Sequence, residues 1–144
     1  MSFREKGAWI CLASTVVVFV PYFWFVLQLS ARGELTVAAI MPALVAAIFF
    51  QAVINVAASI AVAVFSGSDP ADERDRSIEL RSFRNAYLIL AVTLVSAIAV
   101  ATFSPPSFGA LITLVFMSQV LLACFVVAES AKYLTQVVCY RRGF

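Results

Sequence analysis

Four long apolar stretches, approximately 9–29, 42–65, 87–103 and 110–129, are separated by three short connections that hold most of the polar residues. Each stretch is close to the roughly 20 helical residues that cross a hydrocarbon layer of about 30 Å. None alternates apolar and polar residues with the period of two that a barrel strand needs, and lipid offers an open strand no backbone partners. The pattern therefore predicts an all-α integral membrane protein, a single four-helix bundle built from two hairpins. Composition agrees: 63% of the residues are hydrophobic and 12% are charged, whereas a soluble domain carries about 25% charged residues.

The connections predict where the helices end. Gly33 breaks the first helix, and Pro42 either opens the second span or sits inside a longer helix that starts near Thr36. Pro105 and Pro106 stop the third helix, and Ser107 is placed to cap the fourth. Basic residues precede the first span, as they would in a cleaved leader. Its apolar run is too long for one, and Pro21 interrupts it, so an uncleaved membrane anchor is expected.

Charge sets the expected orientation. Nine of the ten basic residues flank the spans on one side: Arg4 and Lys6, then Arg74, Arg76, Arg81 and Arg84, then Lys132, Arg141 and Arg142. Only Arg32 lies on the other. Short basic flanks stay in the cytoplasm, so both termini are expected there, in a multi-pass protein of the bacterial inner membrane. Trp9, Tyr87, Tyr133 and Tyr140 would mark one interface, with Trp24, Phe103 and Phe108 at the other. The net charge of +2 is too small to suggest a nucleic-acid partner.

Nine of the eighteen charged residues fall within 69–84, immediately before the third span. Asp69 can cap a helix that starts at Pro70, and Asp72, Glu73 and Asp75 then suit the positive end of its dipole. Arg76, Glu79, Arg81 and Arg84 follow at spacings that let the charges pair along the helix. No Gly or Pro intervenes before Ser104, so one continuous helix is expected from about 70 to 103, its first part extended into the cytoplasm. The face formed by Asp72, Glu73, Arg74, Asp75, Arg76, Glu79, Arg81 and Arg84 is the candidate interaction surface. Asp72, Asp75 and Glu79 share a side and could in principle hold a divalent cation. The interleaved arginines and the lack of an accompanying nucleophile make a metal-dependent enzyme the weaker reading.

Within the spans, Gln51, Asn55 and Ser59 lie on one face of the second helix. Gln51 and Asn55 fall near the same depth as Thr93 and Ser96 of the third helix and Ser118 and Gln119 of the fourth. These six residues form a candidate midplane polar layer, suited either to hydrogen bonds between helices or to a small ligand. The first helix contributes nothing to it between Thr15 and Gln28, which predicts a peripheral position. No charge is expected at that depth, as an ion-coupled pump would require. Glu129 and Lys132 are read instead as a paired anchor near the inner end of the fourth helix. Small residues at Ala39, Ala43 and Ala47, and at Ala57 and Ala61, allow close helix approach. The three cysteines, with no histidine in the chain, give no metal or haem motif, and no cofactor is expected.

The segment "DERDRSIELRSFRNAYLIL" resembles the signature of an uncharacterised family of small prokaryotic membrane proteins, in which D-E-R-D-x-x-I-x-x-[KR] precedes the third of four spans. The matching residues are Asp72, Glu73, Arg74, Asp75, Ile78 and Arg81, followed by Ala86 and Tyr87. Members are often encoded beside small helix-turn-helix regulators, so the resemblance implies a sensory or regulatory role without a biochemical activity. The leading expectation is a non-enzymatic membrane protein that acts through contacts with another membrane or cytoplasmic protein or with a second copy of itself. The alternative is a carrier or binder of a small neutral or lipophilic molecule at the midplane layer.

Overall fold

The computed structural model describes residues 3–65, 73–103 and 114–142. They form four helices: α1 (Phe3–Ala31), α2 (Val37–Phe65), α3 (Glu73–Phe103) and α4 (Leu114–Arg142). Among the described residues there is no strand. All four helices are long and apolar enough to cross a membrane. A helix of 29 residues extends about 43 Å at 1.5 Å per residue, so each overhangs a hydrocarbon layer of about 30 Å.

The turn between α1 and α2 follows from its residues. Gly33 adopts φ +72°, the left-handed conformation that ends a helix most cheaply at glycine. The Gly33 amide then donates to Ser30 O and the Glu34 amide to Leu29 O, closing both bonds of a Schellman cap. Thr36 caps the next helix, its Oγ1 accepting from the Ala39 amide at 3.3 Å. Pro42 therefore sits inside α2, the second of the two expected arrangements. Pro21 likewise lies inside an unbroken α1.

α3 runs without a break from its charged beginning into its apolar half, as the absence of helix breakers predicts. Pro70, Asp69 and Asp72 lie outside the described residues, as do Pro105, Pro106 and Ser107. α4 continues well past residue 129, where the apolar run ends. No Gly or Pro separates Glu129 from Arg142, so nothing in the later residues breaks the helix.

The helices are ordered α2, α1, α4, α3: α1 packs against α2 and α4, and α3 packs against α4. This corrects the expected peripheral place of α1, which is central. The reason lies in one stripe: Ala8, Cys11, Thr15, Phe19, Tyr22 and Val26 recur at helical spacing and are all buried. Phe19, Tyr22 and Val26 form the main core with Ile40 and Ala47 of α2, and Val115, Leu122 and Val126 of α4 close over it. Of the small residues, Ala43 and Ala47 do lie at the α1 contact. Ala58, rather than the exposed Ala57, is the buried one further along.

At the end carrying both termini, the charged part of α3 lies along the extension of α4. Ile78 and Ser82 are buried there, and Gln136 Nε2 donates to Ser82 Oγ at 3.2 Å. The buried Glu5 carboxylate of α1 meets Arg141 of α4 at 3.5 Å, and that guanidinium lies over the Trp9 ring at 5.4 Å. These contacts tie three helices together at one end.

Candidate functional site

The midplane residues divide into three groups rather than one layer. Gln51 Nε2 of α2 donates to Asn55 Oδ1 at 3.1 Å, to Thr15 Oγ1 at 3.1 Å and to Ser14 Oγ at 3.3 Å. Gln119 of α4 is buried on the other side of the core, where its Oε1 accepts from the Tyr22 hydroxyl at 2.5 Å. Thr93, Ser96 and Ser118 turn back on their own helices, donating to carbonyls three or four residues earlier. A hydroxyl can satisfy itself this way in an apolar setting; a primary amide needs another side chain, which is why only the two glutamines reach α1.

A cleft of about 420 Å³ opens beside Gln51, in the angle between α1, α2 and α4. Thr15, Gln51, Asn55, Glu129, Lys132 and Tyr133 supply its polar lining, and Phe19, Ile48, Leu122, Phe125 and Val126 its apolar walls. α3 contributes nothing to that lining, and it is not packed extensively on α2. No described helix roofs the cleft.

Glu129 and Lys132 form the expected i, i+3 pair, with Nζ 2.6 Å from Oε2. Their setting differs from the expectation. α4 spans Leu114–Arg142, so Glu129 lies at its middle, and the pair faces the same cavity as Gln51 and Asn55. Charge is present beside the polar amides. The apolar run could not reveal this, because a carboxylate and an ammonium next to each other look like the end of a span when depth is counted from one sequence. The ammonium is further enclosed by two rings, 4.6 Å from the Tyr133 centroid and 5.2 Å from that of Phe83 on α3.

One polar atom here has no partner: Gln51 Oε1 is buried without a hydrogen bond. Exchanging the oxygen and nitrogen of the amide would move the vacancy to a donor without removing it, so the position carries an unmet polar group in either assignment.

A second cavity of about 320 Å³ lies toward the termini and shares Tyr133 as a wall. Asp75 and Glu79 of α3 reach its edge, together with Cys11, Gln136 and Tyr140. Two members of the candidate interaction surface thus border the interior, although Glu79, like Glu73, Arg74, Arg76, Arg81 and Arg84, is also exposed. Asp72 is outside the described residues. Tyr133 and Tyr140, expected at an interface, line this cavity. Among the described residues, no three potential metal ligands gather, and the three cysteines are buried and unlinked.

Sequence reading missed Ser14, Thr15 and Tyr22 as members of the polar contacts. The signal was available in the buried stripe of α1, where hydroxyls occupy two of the positions that otherwise hold small or aromatic residues. No protein-family model, curated protein or solved structure matches the chain.

Proposed function

We propose that the chain is a multi-pass membrane protein, with both termini cytoplasmic, that binds a small lipophilic molecule in the cleft between α1, α2 and α4. One observation carries this reading: three helices bring six polar side chains, including an ion pair, to an unroofed cavity with apolar walls. Burying such groups is costly unless structure or function requires them, and ionisable groups within spans concentrate at functional sites. The membrane setting is supported by the surfaces that the bundle leaves uncovered. Val17, Trp24, Tyr87 and Val92 are 65% exposed or more, and water would not tolerate that continuous apolar face. Lipid does. The cytoplasmic orientation rests on the nine basic residues at the termini end.

Binding is the whole activity proposed, and it involves no covalent chemistry. Purification from native membranes in mild detergent, followed by native mass spectrometry, tests it. The wild-type chain should retain one small molecule, and Ala52→Trp, which fills the cleft from its exposed α2 wall, should lose it. Identical spectra for the two chains would count against the cleft.

A second reading, action through protein contact at the charged start of α3, is favoured by a different observation. That segment is packed on α4 through Ile78 and Ser82, and it turns Arg76, Leu80 and Arg84 outward. These residues share one helical face. Reversing Arg76 to Glu should then weaken assembly with a partner or a second copy while leaving helix packing intact. Unchanged assembly in native membranes would sink this reading.

A further inference from the structure

The charge in the cleft is uneven. Side-chain exposure is 31% for Glu129 and 13% for Lys132, so the carboxylate faces the opening and the ammonium is withdrawn beneath the Phe83 and Tyr133 rings. The adjoining cavity adds Asp75 and Glu79 to its edge. Phe19 and Phe125 add aromatic surface to the cleft, and ring faces attract cations rather than anions. The volume lies within the range that small-molecule sites occupy, about 300–1,000 Å³.

We propose that the ligand of this cleft is a lipophilic organic cation, and that Lys132 is the resident counter-ion it displaces from Glu129. The inference rests on the reading of the cleft as a binding site and adds the chemistry of what binds. An anion entering the cleft would meet Glu129 first, with the compensating ammonium behind it. A neutral guest would leave the ion pair closed and gain nothing from the acid. A cation replaces Lys132 charge for charge, so no bare carboxylate is left in a poorly solvated space. The flexible four-carbon stem of lysine permits the withdrawal, and the Phe83 and Tyr133 rings, which the ammonium already touches, offset part of the loss of its carboxylate.

The test uses the full-length protein in phosphatidylcholine nanodiscs, with empty nanodiscs as background. The probes are tetraphenylphosphonium and triphenylmethanol, a neutral arene of similar bulk. Wild type should bind the cation saturably and the arene at least tenfold more weakly, tenfold being about 1.4 kcal/mol. Glu129→Gln should lower cation affinity by tenfold or more. Lys132→Met should raise it severalfold, because the competing charge is gone. The double variant, Glu129→Gln with Lys132→Met, keeps the shape of the pair without its charge and should bind the two probes equally. Equal binding of both probes by wild type, or an unaltered cation affinity in Glu129→Gln, would overturn the cationic ligand while leaving the cleft intact as a site. Absence of binding by either probe, or binding that Ala52→Trp does not reduce, would overturn the cleft reading and this proposal with it.

Discussion

The two glutamine sites of the bundle are built from similar parts and end differently. Around Gln119, the tyrosine at position 22 both fills space and supplies the hydrogen bond, and Phe19, Val26, Ile40 and Ala47 pack around it; the space of about 370 Å³ left on the far side of Tyr22 is walled by Val18, Ala43, Ala47 and Phe50 and does not reach Gln119. Around Gln51, α1 presents Ser14 and Thr15, which donate to Cys11 O and accept from the amide, but fill little volume. Ala52 and Asn55 on the α2 side are no larger, and a cleft remains. Side-chain volume on α1, rather than polarity, thus separates a structural hydrogen bond from an accessible site. Helices in lipid lack the hydrophobic force that would squeeze such a gap shut.

Four single substitutions and one double variant would break or sharpen that contrast, each measured by denaturant-driven unfolding in mixed micelles. Tyr22→Ala should have the largest effect, about 4 kcal/mol, because it opens a cavity in the core and strands Gln119. Glu129→Gln should cost about 3 kcal/mol by leaving Lys132 enclosed without its counter-charge, and adding Lys132→Met should recover most of that loss. Failure of the second change to recover stability would mean that the pair is not a coupled unit. Tyr22→Phe keeps the volume and removes only the hydroxyl, so about 1 kcal/mol is expected. The smallest effect belongs to Thr93→Val, within about 0.5 kcal/mol, since that hydroxyl bonds only within its own helix. A large loss there would restore α3 to the polar layer.

Much of the fold was legible in the pattern of apolar residues. The four helices, the break at Gly33 and the continuity of α3 follow from local chemistry that a single chain displays. Helix order did not follow. The central place of α1 depends on a stripe mixing Cys11, Thr15, Phe19 and Tyr22, which reads as unremarkable in a chain so rich in apolar residues. The candidate site was half legible. Gln51 and Asn55 stood out because amides in a span need partners, whereas Thr93, Ser96 and Ser118 looked equivalent until their intrahelical bonds were seen. Glu129 and Lys132 were identified as a pair, but only the packing of α2 and α4 on either side of α1 shows that they share a cleft with Gln51. The Tyr133 ring was assigned to an interface by residue type, while its position one turn after Glu129 brings it to the cleft.

The central claim is that the bundle is open at Gln51 and closed at Gln119, and spin-label accessibility tests it most directly. In a background of Cys11→Ala, Cys124→Ala and Cys139→Ala, a nitroxide would be attached either at residue 52, on the cleft wall, or at residue 26, inside the closed core. Collision with a polar nickel chelate in nanodiscs then reports access. A rate at residue 52 several times that at residue 26 is the predicted result; equally low rates at the two positions would contradict an open polar cleft.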